Sequence, residues 1–410
     1  MSVLPSPPAP SEGATPADVV AWVATHLGHL AREGADGVRA GAIRGGQSAA
    51  DAALAGLDVR GYARDRSTVL PEHRQGATRM SPYVRHGLVT LRELWDAVTD
   101  APPRDRDKYR DELLWQEYAR HLYARVGRDS ARPYRAEQPR VAQPWSNPWD
   151  RSLPCLEEAV GRQLVRDGWV VNQSRMWLAS QWAVRGGVDW RAGEDAMFAH
   201  LLDGSRAANR LGWQWTVGTG NAKPYGFSRW QVEKRSPQLC RSCPLAARCP
   251  IEDFPDTPPG PPVQGPDLGR GPIPAGPERV SGGGADAVWL TAESLGAGDP
   301  ALAADPDRPA VFVLDAPLLA RLRLSGKRLV FLAETLGDLA AHRHLEVRLG
   351  AVPEELAGRR VAVTHAPVPG FARLRRRVDV VEEHPYPWLV VPRPAPLRSF
   401  SAWRQGARPR

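Results

Sequence analysis

Apolar residues recur every three or four positions over much of the first 250 residues of this chain. Between Ala17 and Arg32 they follow one face of a helix, which predicts an amphipathic helix there. From 45 to 250 the same periodicity returns between Gly and Pro breaks, with few alternating β-branched runs. This part of the chain is therefore predicted to be all-α. Residues 1–16 are rich in Pro, Ser and Ala and are predicted to form a disordered leader.

The hydrophobic pattern changes after a segment dominated by Pro and Gly. That segment, 253–285, holds too few apolar residues to fold alone and is predicted to be a semi-extended linker. The short apolar runs beyond it lie at 287–290, 310–314, 345–349 and 360–363, with a helical stretch at 316–342. Strands that alternate with a crossover helix predict a small, mostly parallel, Rossmann-like α/β domain. The predicted organisation is a leader at 1–16, a helical domain at 17–252, the linker at 253–285 and the α/β domain at 286–410.

The composition is that of an ordinary globular protein. Of its 410 residues, 42% are hydrophobic and 24% charged, which is enough material for two domains. No apolar run is long enough to span a membrane and no basic-then-apolar signal pattern is present, so we predict a cytoplasmic protein without a membrane partner. The formal charge of +8 suits a polyanion such as nucleic acid, but a general arginine-rich bias explains it equally well.

A strong helix-start signal lies between Gly76 and Gly87. Ser81 is followed by Pro82, and Ser caps free backbone N–H groups while Pro is preorganised for the first helical turn. Such a helix start attracts phosphate through its N–H groups and its dipole, and Thr78 adds a second hydroxyl. An ordinary capped helix without a ligand is the alternative interpretation.

Two pairs of residues have the three-residue spacing that places both members on one face of a helix. Glu112 and Trp115 lie three residues apart, as do Asn172 and Arg175. A buried guanidinium needs an anionic partner, and Asp203 is the candidate partner of Arg175. A surface Glu beside a core Trp, and a purely structural ion pair, explain the same spacings without a ligand.

Seven segments place these residues in a common context. In chain order they are RGGQSAADAAL, Tyr62, ATRMSPYVRHG, ELLWQEYARHL, NQSRMW, DWRAGE and LLDGSRAANRLGWQW. In order and spacing they resemble the FAD-binding domain of DNA photolyases and cryptochromes. The resemblance implies a helical flavoprotein that binds FAD, with DNA containing pyrimidine photoproducts as its partner.

The resemblance also implies roles for single residues. In the family, the FAD phosphates and ribityl chain are held by residues that match Tyr62, Thr78 and Ser81 of this chain. Those matched to the surroundings of the isoalloxazine ring are Arg175, Asp203 and Asn209, the last facing flavin N5. The predicted cofactor-binding set is completed by Met80 and Ser205.

A second set of matched residues concerns substrate and electrons. The residues matched to a pocket that receives a flipped pyrimidine dimer are Glu112, Trp115 and Asn172. Trp213 and Trp190 match the first two members of a tryptophan chain that delivers electrons to flavin. The candidates for the outer member of that chain are Trp145 and Trp149, which the sequence does not distinguish.

The implied activity is light-driven splitting of pyrimidine dimers by electron transfer from reduced flavin, a photolyase reaction. The alternatives are a cryptochrome-like blue-light sensor without repair activity and a flavin-bound remnant with a structural role. Three departures from the family pattern bear on this choice. Ala77 replaces a hydroxyl residue, Gln116 replaces the usual Arg and Ser205 replaces a second Asp.

The four cysteines, Cys155, Cys240, Cys243 and Cys249, suggest a metal centre. Reduced thiols in the cytoplasm favour metal ligation over disulfides, and the spacing in CRSCPLAARCP suits an iron–sulfur cluster or zinc. The run resembles the cluster loop of iron–sulfur DNA glycosylases, and the four positions resemble those of an iron–sulfur branch of bacterial photolyases and cryptochromes. A [4Fe-4S] cluster is the predicted cofactor, with zinc and unligated thiols as alternatives.

The α/β domain resembles the antenna domain that normally precedes the flavin domain in this family. Its place after the flavin domain implies a circular permutation. Thr291 and Ala292 stand where arginines are usual, so we expect no antenna chromophore and interpret the domain as a scaffold. The protein is expected to be a monomer.

Overall fold

The computed structural model of the protein describes residues 2–221 and 223–410. Its helices are α1 (Pro16–Leu27), α2 (Gln47–Ala55), α3 (Tyr62–Asp65), α4 (Ser81–Arg85), α5 (Leu91–Ala97), α6 (Pro103–Val126), α7 (Pro154–Leu156), α8 (Asn172–Ala179), α9 (Trp190–His200), α10 (Arg206–Val217), α11 (Arg229–Arg235), α12 (Pro237–Arg241), α13 (Pro300–Ala304), α14 (Ala316–Leu322), α15 (Gly326–Ala340), α16 (Val352–Glu355), α17 (Pro369–Arg375) and α18 (Phe400–Arg404). Two of them, α7 and α8, continue as π-helical segments at Glu157–Asp167 and Ser180–Arg185.

The strands form one sheet of seven and one of two. They are β1 (Ser2–Val3), β2 (Arg270–Gly271), β3 (Ser281–Gly282), β4 (Ala287–Leu290), β5 (Ala310–Asp315), β6 (Leu345–Gly350), β7 (Val361–Thr364), β8 (Val380–His384) and β9 (Ala395–Pro396). The large sheet has the order β1-β6-β5-β4-β7-β8-β3, and its five inner strands are parallel. Strand order reverses at β4, so that β5 and β7 flank it on opposite sides. The predicted Rossmann-like α/β domain is confirmed, and so is the helical character of the first domain.

The α/β domain differs from its predicted elements in two places. The predicted helix at 316–342 is interrupted at Arg323, which adopts a left-handed conformation with φ of 48°, and this ends α14 before α15 begins. The strand β8 was not predicted, because its Glu382, Glu383 and His384 read as polar. The structure buries all three. Glu382 pairs with Arg308 and His384, and Glu383 pairs with Arg375 and His365.

The prediction of a disordered leader at 1–16 is wrong for the described residues 2–16. Ser2 and Val3 pair with Leu349 and Arg348 of β6, and the backbone N–H of Ser11 donates to Asp338 at 3.1 Å. An edge strand of a sheet has unpaired backbone N–H and C=O groups, and the first residues of the chain pair with them through their own backbone. Such pairing requires no hydrophobic pattern in the sequence. The following helix, α1, packs on α15 of the α/β domain.

The segment 253–285 is extended but held at several points. Its β2 pairs with β9, its β3 pairs with β8, and the N–H of Val263 donates to the carbonyl of Arg135 at 2.9 Å. The sheet therefore already includes residues that the sequence assigns to the linker. No helix in the described ranges is long and apolar enough to cross a membrane.

The long helix α15 belongs to the α/β domain and contacts the first residues of the helical domain. Its Glu334 accepts hydrogen bonds from the N–H of Gly45, at 2.6 Å, and from the guanidinium of Arg44. One turn on, Asp338 accepts from the N–H and hydroxyl of Ser48, at 2.8 and 2.9 Å. The residues before α2 are thus fixed on the α/β domain, which sets the position of the helices that follow.

Candidate functional site

A cavity of about 520 Å³ opens in the helical domain, between α3, α4, α6, α8 and α10. This volume lies in the range of small-molecule and cofactor pockets. All eight predicted cofactor-binding residues line it, namely Tyr62, Thr78, Met80, Ser81, Arg175, Asp203, Ser205 and Asn209. Of the five predicted catalytic residues, those that line it are Glu112, Trp115, Asn172 and Trp213. Trp190 does not line the cavity and is 0% exposed, inside the core of the helical domain.

The predicted ion pair between Arg175 and Asp203 is present. A guanidinium nitrogen of Arg175 lies 2.7 Å from Oδ2 of Asp203, and its Nε donates to the carbonyl of Val170 at 2.9 Å. The spacing of Asn172 and Arg175 on α8 aims both side chains at the cavity. The pair places a fixed positive charge and a largely buried carboxylate in its wall.

Three buried polar atoms beside this pair have no hydrogen-bond partner among the described residues. They are Oδ1 of Asp203, Nδ2 of Asn209 and Nε1 of Trp213, and all three residues line the cavity. A buried donor or acceptor without a partner costs about 1–3 kcal/mol. The arrangement therefore fits a ligand that carries both hydrogen-bond donors and acceptors, as a flavin ring does.

The turn that carries Asp203 is fixed by two arginines. The carbonyl of Gly204 accepts from Arg85 at 2.8 Å and from Arg328 at 3.3 Å. Arg328, from α15, also donates to the carbonyl of Phe198 at 2.5 Å. Burial, with the nearby charge of Arg85, lowers the pKa of Arg328 to about 9. Sequence reasoning missed both arginines. Arg328 reaches this turn only through the packing of the two domains, and Arg85 reaches it only through the folding of the helical domain.

The start of α4 differs from its predicted geometry. Ser81 is the first residue of this five-residue helix rather than its cap, and Met80 before it makes no side-chain cap hydrogen bond. The interpretation of Ser81 as a capping residue is therefore wrong. Its hydroxyl instead accepts from the indole N–H of Trp169 at 3.1 Å, because the fold brings the loop before α8 against it.

The same wall offers further groups to an anion. Arg79 adopts a left-handed backbone with φ of 57° and lies over the ring of Trp169, 5.1 Å from its centroid. Thr78 lies 3.4 Å from the hydroxyl of Tyr109, whose pKa burial raises to about 12. Tyr109 is thus a neutral donor at physiological pH.

The charge of the cavity wall is positive on balance. The arginines that line it are Arg66, Arg79, Arg85, Arg120 and Arg175, and the carboxylates are Glu112, Asp203 and Glu293. Five cations against three anions favour an anionic ligand such as a dinucleotide diphosphate. Glu293, from the loop after β4, pairs with Arg85 at 2.5 Å, so the α/β domain also closes one side of the cavity.

The mouth of the cavity carries the predicted substrate residues. Glu112 pairs with Lys108 at 2.8 Å and with Arg66 at 3.3 Å, and Asn172 is exposed at the start of α8. Trp215 also lines the cavity with 43% of its surface exposed. Sequence reasoning did not include Trp215, although its position two residues after Trp213 on α10 was the available signal.

The four cysteines meet at a second, small cavity of about 30 Å³. Its other lining is largely apolar, and burial, together with the neighbouring Cys249, raises the pKa of Cys155 to about 12. Among residues 2–221 and 223–410, no three His, Cys, Asp or Glu side chains converge on a point that would hold a single metal ion. The thiols surround a cavity instead.

These features fit a nucleotide cofactor held in a helical domain. Residues 109–236 match the family described as the FAD binding domain of DNA photolyase. Over these residues the match agrees with the resemblance to photolyases and cryptochromes that the sequence motifs carry.

Two relatives and two solved structures show how far the similarity extends. A deoxyribodipyrimidine photo-lyase of Thermus thermophilus is 33% identical over 196 residues, 43% of this chain and 44% of the relative. That of Escherichia coli is 34% identical over 166 residues, 37% of this chain and 35% of the relative. The chain thus spans less than half the length of either relative.

The solved structures are more distant. The Synechocystis sp. PCC6803 cryptochrome has 22% identity and a TM-score of 0.41 over 47% of this chain and 44% of the cryptochrome. The class III photolyase of Agrobacterium tumefaciens has 23% identity and a TM-score of 0.39 over 52% of this chain and 46% of the photolyase.

Proposed function

We propose that this protein binds FAD in the helical cavity and splits pyrimidine dimers in DNA when illuminated. The observation that carries the proposal is the Arg175–Asp203 pair beside unpartnered polar atoms of Asp203 and Asn209. This pair stands in a cationic cavity whose mouth holds Glu112 and Trp115. The family match of residues 109–236 and relatives named as photo-lyases support the same activity.

The residues divide into groups by what they would hold. Arg175, Asp203 and Asn209 would hold the ring system, with the guanidinium stabilising negative charge on it. Tyr62, Thr78, Arg79 and Ser81 would hold the phosphates and ribityl chain. When bound, FAD supplies the electron that opens the dimer.

The cavity mouth fits an unstacked pair of pyrimidines. Trp115 and Trp215 present aromatic rings, and aromatic stacking is worth about 1–3 kcal/mol per base. Glu112 and Asn172 present a carboxylate and an amide that can orient polar base edges. The protein would therefore accept a dimer flipped out of the DNA stack.

The competing function is a blue-light sensor that binds FAD but repairs nothing. Gln116 and Ser205 both line the cavity and both depart from the family pattern, which favours this alternative. Both functions require the same FAD site. They differ only in whether the mouth of the cavity binds a pyrimidine dimer for repair. An experiment must therefore measure FAD binding and dimer loss separately.

FAD binding is tested by absorbance of purified protein after loading with excess FAD. We expect yellow wild-type protein and at least about tenfold weaker retention in Arg175→Met and Asp203→Asn, since about 1.4 kcal/mol corresponds to tenfold. Asp195→Asn is the matched control, because this exposed carboxylate also pairs with an arginine. Colourless wild-type protein would contradict the proposal.

Repair is tested by illuminating the reduced, FAD-loaded protein with dimer-containing single- and double-stranded DNA. We expect dimers to disappear only in light, and Glu112→Gln to slow this loss while retaining FAD. Full FAD occupancy without any light-dependent dimer loss would favour the sensor.

We also propose a [4Fe-4S] cluster held by Cys155, Cys240, Cys243 and Cys249. All four thiols line one small cavity, and the spacing in CRSCPLAARCP suits the ligation of a cluster. Iron and sulfide analysis of anaerobically purified protein is expected to give four of each per chain. Zinc in place of iron, or neither metal, would overturn this assignment.

The remaining family features are also proposals. The strand order of the α/β domain supports its correspondence to the antenna domain in a circularly permuted chain, acting as a scaffold for the cavity wall through Glu293 and Arg328. The monomeric state and the cytoplasmic location stay predictions from the sequence.

A further inference from the structure

Exposed aromatic rings gather on one side of the cavity mouth. The most exposed aromatic side chains in the described ranges are Trp215 at 43%, Trp230 at 55% and Phe254 at 56%. The ring centroid of Trp215 lies 6.0 Å from that of Tyr225, and Cδ1 of Phe254 lies 3.0 Å from the place of a Cβ at Gly226. Trp230 follows in α11. We name Trp215, Tyr225, Trp230 and Phe254 the aromatic strip, and because Trp215 lines the cavity, the strip begins at its mouth.

Hydrogen bonds hold the aromatic strip in place. The backbone N–H of Tyr225 donates to the carbonyl of Thr216 at 2.7 Å, and its hydroxyl accepts from the amide of Gln173 at 2.9 Å. Near the other end, the N–H of Arg229 donates to the carbonyl of Ile251 at 2.7 Å. A surface that is fixed before its ligand arrives loses little conformational entropy on binding.

Cations accompany the exposed rings. Lys223 and Lys234 are both exposed, and the ammonium group of Lys234 lies 4.6 Å from the ring centroid of Trp230. Neither lysine forms a salt bridge with a carboxylate among residues 2–221 and 223–410. Their charges are therefore free to meet an anion in solution.

The acidic side chains of this surface do not cancel its charge. Arg229 pairs with Glu233 at 2.8 Å and with Glu252 at 2.9 Å, so these two carboxylates are already neutralised. Over residues 221–256, six Lys and Arg residues against four Asp and Glu residues leave a net charge of +2. A cationic surface with exposed rings fits an anion that carries aromatic groups.

The rings on the α6 side of the mouth are buried instead. Phe400, Trp403 and Tyr118 pack on one another beside Trp115 and leave little surface to solvent. What this side exposes is charge, carried by Arg404 of α18. Outside the cavity itself, exposed rings on which bases can stack therefore lie on the side of α10 and α11.

We propose that the aromatic strip binds a single strand of DNA that continues from the flipped dimer at the cavity mouth. An unpaired base presents a free face to an exposed ring, whereas neighbours in a duplex cover both faces of each base. Phosphates of the same strand meet Lys223 and Lys234 and release counterions. The proposal rests on the proposed function and names its substrate class, which is photoproduct DNA that is single-stranded on one side of the lesion.

DNA without a photoproduct tests the strip by itself. Fluorescence anisotropy of the purified full-length protein is measured with a short labelled oligothymidylate and with a duplex of equal length. We expect the single strand to bind at least about fivefold more tightly. Trp230→Leu should weaken single-strand binding by about fivefold or more, because one stacked base is lost, while Trp230→Phe should stay within about twofold of wild type. Val280→Ala, which changes another exposed apolar side chain, should leave the affinity unchanged.

Salt dependence tests the lysines. For single strands the logarithm of the affinity falls with the logarithm of salt concentration by a slope of about 0.7 for each neutralised phosphate. Lys223→Gln and Lys234→Gln should each reduce the slope by about that amount. Arg321→Gln, at an exposed position in α14, should not change it. Wild-type slopes in both lysine variants would overturn the phosphate contacts.

Two partial duplexes test whether the strand leaves the mouth on one side only. Each carries one pyrimidine dimer, and its bases are unpaired either on the 5′ side or on the 3′ side of the lesion. We expect one of the two to bind at least about fivefold more tightly than fully paired DNA, and Trp230→Leu to abolish this gain. Equal affinities for the two partial duplexes would overturn a one-sided strip.

These outcomes distinguish the strip from the proposed function. If the wild type splits dimers and Trp230→Leu binds each DNA as the wild type does, the strip alone fails. If oligothymidylate binds through Trp230 but the protein takes up no FAD or splits no dimer, the proposed function fails and the strip stands as a single-strand site. Duplex binding as tight as single-strand binding would overturn the strip and leave its exposed rings to a protein partner.

Discussion

The ring of Phe400 stacks on the indole of Trp115, with centroids 4.0 Å apart and planes inclined by 14°. Phe400 begins α18 in the C-terminal segment, whereas Trp115 lies on α6 at the mouth of the cavity. Tyr118 meets both rings edge-on, with centroids 5.9 Å from each. One face of Trp115 is thus covered by the end of the chain, which fixes the plane in which a substrate base would stack.

Replacing Phe400 by Leu is therefore expected to weaken DNA binding without removing FAD. The aromatic pair contributes about 0.5–1.5 kcal/mol beyond its buried area, so the affinity for dimer-containing DNA should fall by about two- to tenfold. Fluorescence anisotropy with a dimer-containing oligonucleotide measures this, and FAD absorbance monitors the cofactor site.

Leu245→Ala, far from the cavity mouth and beside the cysteines, serves as the control for a general loss of stability. Both variants should lose thermal stability, but only Phe400→Leu should weaken DNA binding. Unchanged affinity in Phe400→Leu, when Trp115→Ala does lower it, would show that the stacking does not orient Trp115.

The sequence was informative where one local element carries the chemistry. Asn172 and Arg175 share a face of α8 because of their spacing, and a buried guanidinium required a carboxylate, which proved to be Asp203. The change from helical to strand periodicity likewise located the α/β domain. Each of these features depends either on a pattern within a few residues or on the need of a buried charge for an oppositely charged partner.

Other features depend on contacts between distant segments and left no local signal. Arg328 and Phe400 reach the cavity region only because α15 and the C-terminal segment dock on the helical domain. Ser2 and Val3 join the sheet through backbone groups, which composition does not reveal. The capping role of Ser81 was wrong because its hydroxyl has a distant partner, Trp169, in the folded chain.

Arg328 offers a test of how far the α/β domain supports the proposed flavin site. Arg328→Met keeps the length of the side chain but leaves the carbonyls of Gly204 and Phe198 without this donor, at a cost of about 1–3 kcal/mol. The turn that carries Asp203 should loosen, and FAD should dissociate more readily. Equilibrium dialysis of FAD measures the effect, with the exposed Arg321→Met as control. Equal FAD affinity in the two variants would show that the scaffold role is wrong.

Glu117 is expected to make stability depend on pH. It is 0% exposed, and one carboxylate oxygen accepts from the N–H of Val390 at 2.8 Å while the other has no described partner. Burial raises its pKa to about 7 from 4.5, although Arg120 opposes the shift. The folded state therefore binds the proton more tightly than the unfolded state does. The stabilisation is complete below about pH 4.5 and is lost as the pH rises through 7.

Glu117→Gln should remove this dependence. The variant should gain stability relative to wild type between pH 5 and 8.5, by about 3 kcal/mol at most, since one pKa unit corresponds to about 1.36 kcal/mol. Urea unfolding across this range measures the difference. The neighbouring His121, whose pKa burial lowers to about 4, is neutral in the folded protein. Its protonation on unfolding is common to both variants and cancels in the difference. Parallel pH profiles of Glu117→Gln and wild type would contradict the assignment, and the exposed Glu354→Gln should match wild type at every pH.

Arg125 is expected to hold the Pro- and Gly-rich segment in place. From α6 its guanidinium donates to the carbonyl of Gly269 at 2.7 Å, of Pro272 at 3.1 Å and of Ala395 at 2.7 Å, and it also contacts the carbonyl of Gly271. One side chain thereby fixes both strands of the small sheet formed by β2 and β9. Without it, four carbonyl groups of these two strands and their flanks lose a donor from the helical domain.

Arg125→Met should therefore expose the segment to trypsin, which cuts after exposed arginines such as Arg270 and Arg279. Because a flexible chain is cleaved in proportion to how often it opens, losing about 1–3 kcal/mol of local stability should accelerate cleavage by about tenfold or more. Arg128→Met, an exposed arginine just beyond the same helix, is the matched control and should be cut at the wild-type rate. Equal resistance in both variants would mean that the pairing of β2 with β9 and of β3 with β8 holds the segment unaided, and that Arg125 adds nothing to it.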